Sequence, residues 1–409
     1  MKIKDIGTVV TGKTPATSHA EFYDGDYMFV TPTELHNGYK VSASEKTITD
    51  AGLKSIKSNI IDGISVLVGC IGWDMGNVAM CFEKCATNQQ INSVTRIKDS
   101  FNPYFLYYWL STQKDYLFSI ASVTRTPILS KGVFEEIELP NIDRLKQDRI
   151  SKMLLVLDRK IEYNAAVNDN LQQQIKLMYD YWFNQFDFPN EDGKPYRSSG
   201  GKMQYSQRFK RNIPDGWTEE SVISNSISTP IKPGVEPFST KTYLATADVN
   251  GARLSSGSLI DYETREGRAN MQPTVSSVWF AKMKNSIKHL FLNKEMESLI
   301  DSTILSTGFC GLQCTNESFE YIASFIEHSY FEDVKNTLAH GATQESVNND
   351  DLLGLTMLVP TPEVLELFHA KARPLYAQIS QNICENQKLT EIRDWLLPML
   401  MNGQATISD

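Results

Sequence analysis

No uninterrupted apolar run in the 409 residues approaches the ~20 that a membrane-crossing helix needs. The opening stretch MKIKDIGTVVTG also lacks the apolar core of a secretory signal, so a cytoplasmic location is expected. Cysteine is scarce: six in a chain this long make no disulfide framework. Cys81/Cys85 and Cys310/Cys314 share a C-x3-C spacing open to a four-thiolate zinc site, but zinc pairs usually lie two residues apart in Gly-rich turns, and buried thiols on strands are the better reading. The six histidines (His19, His36, His289, His328, His340, His369) are too dispersed for a metal cluster or a catalytic triad. No Gly-x-Gly triplet occurs, which removes the usual dinucleotide or S-adenosylmethionine turn. Positive charge is also short, since 40 Lys and Arg face 49 Asp and Glu for a formal net charge of −9. Such a balance argues against a self-sufficient basic nucleic-acid binder.

What is present is an ordinary globular composition, with 41% hydrophobic and 22% charged residues. At ~150 residues per domain it predicts two or three domains. The chain also repeats itself. Ile150, Leu154, Leu157, Ile161, Asn164, Asn168, Leu171, Ile175, Met178 and Trp182 alternate steps of four and three, the seam of a coiled-coil helix. Phe368, Ala372, Leu375, Ile379, Asn382, Asn386, Leu389, Leu396 and Leu400 repeat the pattern near the C-terminus, with Arg393 interrupting it. At one constant offset Asn164 matches Asn382 and Asn168 matches Asn386. Two Asn in an apolar seam fix register when they meet each other. Antiparallel packing predicts Asn164 near Asn386 and Asn168 near Asn382, whereas parallel packing would put Asn164 beside Asn382.

Each helix follows a block of short alternating segments. YMFVTPTELHNG (Tyr27 to Gly38) resembles KTYLATADVNG (Lys241 to Gly251), each a strand-like run leading to an Asn-Gly turn. NIIDGISVLVGCIGW (Asn59 to Trp73) and NVAMCFEKCATNQQINSVTRI (Asn77 to Ile97) read as strands between Gly turns. NPYFLYYWLSTQKDYLFSIA (Asn102 to Ala121) reads as an aromatic helix capped by Asn102 with Pro103 in its first turn. The second block matches with SVWFAKM (Ser277 to Met283), TILSTGF (Thr303 to Phe309) and a helix over Ser318 to Leu338. Between the halves, Phe188 to Trp217 is rich in Gly, Pro, Ser and charge and reads as a linker.

Two motifs mislead. Gly7 to Thr14 formally matches a phosphate-binding P-loop, but it lacks the preceding apolar strand and the following long helix that would aim backbone amides at phosphates. Asn102-Pro103-Tyr104-Phe105 approximates an amino-methyltransferase signature with one proline missing. No nuclease-like set of paired carboxylates and lysine is apparent, so the chain reads as non-enzymatic.

The closing phrases TRTPILSKGVFEEIELP (Thr124 to Pro140) and GATQESVNNDDLLGLTMLVP, the segment GNVAMCFEKCATNQQINSV and the terminal run NQKLTEIRDWLLPMLMNGQ, together with this architecture, resemble the DNA-specificity subunit of Type I restriction-modification systems over essentially the whole chain. NIPDGW (Asn212 to Trp217) looks like the opening phrase of the family's recognition domain, and the first half begins at MKIKDIGTVVTGKTP without it. The resemblance implies an α+β fold with two target-recognition domains in tandem, related by a pseudo-twofold axis and separated by two long helices in an antiparallel coiled coil. The expected division is a first recognition domain over 1–141, a spacer helix over 142–187, a linker over 188–211, a second recognition domain over 212–361, and a second helix with its tail over 362–409. A helix from Asp143 to Phe183 rises roughly 60 Å at ~1.5 Å per residue, so it would serve as a ruler between half-sites one or two DNA turns apart. The implied partners are double-stranded DNA, two modification (methyltransferase) subunits that bind S-adenosylmethionine, and restriction subunits that hydrolyse ATP. This chain itself is expected to hold no cofactor and no metal. The aromatic residues Tyr179, Tyr181, Trp182, Phe183, Phe186 and Trp395 either dock the modification subunits or cap the chain's own coiled coil.

Base readout calls for Arg and Lys on guanine and Asn and Gln on adenine, carried on loops. The candidates are Lys13, Thr14, Thr33, Asn37, Asn77 and Arg125 in the first block and Lys232, Asn250, Arg268, Asn270, Lys284 and Gln344 in the second. Lys282, Lys284, Lys288 and His289 form a group suited to phosphate. Competing readings are a P-loop enzyme, a coiled-coil scaffold without DNA specificity, and a half-site reader or antiphage module on the same scaffold.

Overall fold

The structure is a computed structural model and describes residues 1–36, 38–123, 125–251, 253–255 and 257–405. The chain divides into two compact units, Met1–Lys160 with Leu389–Asp409, and Ile161–Lys388. Each unit therefore takes a share of both long helices, which the expected division had set apart from the recognition blocks.

The first unit holds β1 (Thr8–Thr11), β2 (Tyr23–Val30), β3 (Lys46–Ile48), β4 (Ile60–Ile61), β5 (Ser65–Gly69), β6 (Val78–Cys81), β7 (Cys85–Thr87) and β8 (Ile91–Thr95). They form two four-stranded sheets, β1-β8-β5-β6 and β3-β2-β7-β4. Only the pair β2 and β7 is parallel. α1 (Pro103–Ser111) and α2 (Lys114–Ser119) follow. Asn102 caps α1, its side chain accepting from the Tyr104 and Phe105 amides with Pro103 in the first turn. The single helix expected to reach Ala121 breaks at Thr112, whose hydroxyl turns back to the Trp109 carbonyl (2.7 Å).

The second unit repeats the plan with β9 (Ser228–Pro230), β10 (Lys241–Leu244), β11 (Ser258–Ile260), β12 (Ala269–Met271), β13 (Ser277–Ala281), β14 (His289–Leu292), β15 (Thr303–Ser306) and β16 (Phe309–Cys314). Its sheets run β9-β16-β13-β14 and β11-β10-β15-β12, the same orders strand for strand. Again one pair alone, β10 and β15, is parallel. Each parallel pair sits in the position equivalent to the other, so the duplication lies in the topology and not only in sequence phrases. After β16 the single helix expected over 318–338 becomes two, Phe319–Glu327 and Ser329–Leu338, because the His328 ring accepts from the Tyr330 amide and starts a new helix.

The long helix α3 (Arg144–Tyr179) ends four residues before Phe183, where Asp180–Asn184 adopts a wider turn. The two short helices of the second unit are α4 (Phe319–Glu327) and α5 (Ser329–Leu338), and the last long helix is α6 (Pro362–Met401). Inside the second unit α3 and α6 run antiparallel. Asn164 Nδ2 donates to Asn386 Oδ1 (2.9 Å) and Asn382 Nδ2 donates to Asn168 Oδ1 (2.7 Å). Inside the first unit Ile150, Leu154 and Leu155 of α3 share a core with Leu400 and Met401 of α6. There Arg393, the residue that interrupts the seam, meets the buried Asp158 (2.9 Å), which also accepts from the Tyr108 hydroxyl (2.6 Å).

The aromatic run after α3 is not a free docking surface. Tyr179, Trp182, Phe183 and Phe186 are buried with Trp217, Tyr321 and Phe368 in the core of the second unit, whereas Tyr181 and Trp395 stay exposed. Residues 188–211 are also more ordered than a linker: Phe188 stacks on Tyr196 and on Trp217, and Met203–Ser206 pairs with Arg211–Pro214. Cys81, Cys85, Cys310 and Cys314 are buried on strands, with the Cys81 and Cys85 thiols 3.2 Å apart. Among the described residues no helix is long and apolar enough to cross a membrane, and no group of three metal-ligating side chains assembles.

Candidate nucleic-acid interface

The P-loop match is a strand. Thr8 to Thr11 pair with Thr95 to Asn92 in β8, so the backbone amides that would wrap a phosphate are spent on a ladder. Gly12 follows where the chain passes so close to the β7–β8 turn that an added Cβ would lie 2.0 Å from the Asn88 carbonyl oxygen. Its glycine answers to packing, not to a nucleotide.

That β7–β8 turn organises the first unit's candidate residues. Thr14 Oγ1 donates to Gln89 Oε1 (2.9 Å), and the Cys70 amide donates to the Gln90 carbonyl (2.7 Å). Cys70 opens the loop from β5 to β6, which carries Asn77. The Gly72 amide in that loop donates to the Pro127 carbonyl (3.0 Å), tying it to the turn that carries Arg125. Thr33 sits on the short helix Pro32–His36, and His36 reaches the same loop through Asp74 (2.8 Å). Segments bearing Thr14, Thr33, Asn77 and Arg125 thus converge around residues 70–77, and Thr33, Lys13 and Arg125 are exposed. Asn37 lies outside the described residues.

Sequence reasoning passed over several side chains of this loop. Trp73 is 71% exposed, with its ring 5.9 Å from that of Phe118. Asp74 takes His36 on one side and Lys114 (3.2 Å) on the other, and Lys114 also donates to Asn77 Oδ1 (3.2 Å). Burial alone would raise the Asp74 carboxyl, but hydrogen bonds from Asn77 and Lys114 hold it below its ordinary value. Asn77, chosen as a base reader, is therefore engaged in a surface network. Gly76 has φ +91° and lies against Lys114, which fixes the loop's exit. The visible signal was a tryptophan between two glycines of one turn, in Gly72-Trp73-Asp74-Met75-Gly76.

The second unit repeats the frame. The Lys282 amide donates to the Gly308 carbonyl (2.9 Å), the counterpart of Cys70 with Gln90, and the Thr307 amide donates to the Arg268 carbonyl (2.8 Å). The β15–β16 turn thus joins two sets of candidates. One comprises exposed Lys232 and Arg268 with half-buried Asn270, whose carbonyl accepts from the Gly234 amide (2.8 Å). The other is the β13–β14 hairpin with Lys282, Lys284 and Lys288, all partly exposed. Lys284 pairs with Glu345 (2.7 Å), which brings the segment bearing exposed Gln344 onto the hairpin. The Asn250 backbone pairs with Arg253, and its side chain lies outside the described residues.

His289, grouped in the sequence with Lys282, Lys284 and Lys288, is buried away from those half-exposed lysines. Its side chain is 3% exposed, with Nδ1 2.9 Å from Glu327 and Nε2 3.0 Å from Glu332. Burial opposes charge on the ring, yet the two carboxylates together raise its pKa above the ordinary value, and a ring facing carboxylates on both nitrogens donates from both only as imidazolium. The run of basic residues in the sequence showed nothing of this burial.

Residues 1–173 match the family model described as "Type I restriction modification DNA specificity domain". Over its whole length the chain is 25% identical to the Type I restriction enzyme MjaIX specificity subunit of Methanocaldococcus jannaschii, covering 93% of that protein. Over 34% of the chain it is 32% identical to the HindI specificity subunit of Haemophilus influenzae, covering 30% of that relative. A crystal structure of a Type I restriction-modification S subunit from M. genitalium shares the fold, with a TM-score of 0.55 at 13% identity, covering 100% of this chain and 96% of that one. With the duplicated sheets and the antiparallel helices already described, the chain is similar over its whole length to Type I restriction-modification specificity subunits, and its first 173 residues match that family's DNA specificity domain.

Proposed function

We propose that the chain is the sequence-reading subunit of a Type I restriction-modification complex, with each unit reading one half of a bipartite double-stranded DNA target and α3 and α6 setting the number of unread base pairs between. One observation carries this reading: the bond that opens the β5–β6 loop, Cys70 to Gln90, recurs as Lys282 to Gly308 at the β13–β14 hairpin. Two copies of one frame, each presenting a loop with different side chains, suit two readings of different bases.

The chain performs no bond-making step in this scheme. Methylation belongs to two modification subunits that bind S-adenosylmethionine, and cleavage to restriction subunits that hydrolyse ATP. Lys13, Thr14, Thr33, Asn37, Asn77, Arg125, Lys232, Asn250, Arg268, Asn270 and Gln344 are the proposed groove-facing set, and Lys282, Lys284 and Lys288 the proposed phosphate set. Lys284 would exchange Glu345 for a phosphate on binding, which makes its contribution salt-dependent.

Long-read methylation mapping of the host genome with and without the gene tests the reading. A bipartite methylated motif that disappears on deletion is the expected result, and an unchanged methylome rejects it.

A further inference from the structure

Lys335 of α5 is fully buried, an unusual place for an ammonium group. All three of its donors are used. Nζ reaches the Ala281 carbonyl (3.1 Å), the Ser286 carbonyl (3.1 Å) and the Glu332 carboxylate (2.8 Å). The two carbonyls belong to the start and the far arm of the β13–β14 hairpin, so one cation staples the loop across its width. One residue on, Asn336 Oδ1 accepts from the Asn285 amide (2.8 Å) at the hairpin tip, where Asn285 holds φ +56°. Glu332 in turn accepts from His289, the first residue of β14. A single stretch of α5, Glu332 to Asn336, therefore grips the hairpin at its base, its tip and its return.

Charge this deeply buried is costly unless every partner is in place, and an apolar residue would pack the same space without that demand. The grip's output is the shape of the loop that carries Lys282, Lys284 and Lys288. We infer that Lys335, with Asn336, is a positioning residue for DNA binding: it touches no DNA but holds the lysine hairpin of the second unit preformed for phosphate contact. The inference rests on the reading of that hairpin as a phosphate-contacting element. Preforming the loop lowers the ordering cost that a flexible loop would meet on binding.

The test uses the full chain assembled with its modification subunits, and duplexes carrying the mapped motif with each half scrambled in turn. Lys335→Met keeps length and removes the donors. Asn336→Ala removes only the grip on Asn285 and serves if Lys335→Met fails to fold. A triple variant, Lys282→Ala with Lys284→Ala and Lys288→Ala, tests the underlying reading. Expected for Lys335→Met and Asn336→Ala, with circular dichroism unchanged, is binding weakened about tenfold and a salt dependence flattened by about one to two phosphate contacts. Discrimination at the first unit's half-site should be intact, which a general loss of structure would not allow. If the triple variant weakens binding while the folded α5 variants bind with the native affinity and slope, the positioning role is overturned. If the triple variant itself binds as the native chain does, the phosphate reading of the hairpin fails first.

Discussion

Two buried charges set measurable expectations at the scale of single residues. Asp158 is 4% exposed at its side chain and faces Arg393. Arg393→Ala would strand that carboxylate and is expected to destabilise the chain by about 3 kcal/mol, read from chemical denaturation. Asp158→Asn paired with Arg393→Ala should recover part of the loss, and a single variant as stable as the native chain would show that the pair contributes nothing. His289 gives a pH dependence whose sign follows from its raised pKa. Its contribution is fully present below the ordinary histidine value near 6.5 and is lost as pH rises through the higher folded value. Burial opposes the Glu332 carboxylate, but His289 and Lys335 lower its pKa, so its share is present above about 4.5 and lost as pH falls through the lower folded value. Thermal unfolding across pH 4 to 9 should show the native chain losing stability on the alkaline side more steeply than His289→Gln. Arg393 was legible as a break in the seam, but the His289 network was not, because Glu327 and Glu332 lie 38 and 43 residues from His289 and only the fold brings them, with Lys335, against it.

At the scale of elements, the seams were the most legible feature. A period of 3.5 and two matched Asn carry the existence of the helices and the two pairings open to them; the amides could meet in either orientation, and the observed Asn164–Asn386 and Asn168–Asn382 pairs are those of antiparallel packing. Asn382→Ala leaves the buried Asn168 amide without its donor, at an expected cost of about 1–3 kcal/mol. Replacing both with Leu should restore stability in a denaturant titration while loosening the register that the amide pair enforces. Ends of elements were less legible. Thr112 and His328 split what read as continuous helices, because a side chain satisfied a backbone group that the hydrophobic period does not register. The aromatic run after α3 misled for a related reason: composition cannot tell a docking patch from the core of the unit that follows.

For the whole molecule, the net charge of −9 predicts a division of labour with partner subunits. The isolated chain should bind its target weakly and with strong salt sensitivity, and the assembled complex tightly, as titrations at several ionic strengths would show. Equal affinity in both would mean that phosphate neutralisation is not shared. One heptad added to both α3 and α6 lengthens each by ~10 Å, which corresponds to about three base pairs of duplex. Methylation mapping should then find the spacer changed by that amount, and an unchanged spacer would end the ruler idea. The tandem plan was legible from repeated phrases, but the convergence of Thr14, Thr33, Asn77 and Arg125 was not, since it depends on turns that meet only once the sheets have formed.

The bond from Cys70 to Gln90 and its repeat from Lys282 to Gly308 make the molecule its own internal alignment. Counted from the equivalent residues Cys70 and Lys282, Ile71-Gly72-Trp73 of one half stands where Met283-Lys284-Asn285 stands in the other. Agreement between the halves marks what folding demands of the frame. Disagreement marks where the frame leaves side chains free to vary, so a dialect of the code can be sought within one chain, by exchanging these triplets and asking which half of the methylated motif changes its spelling.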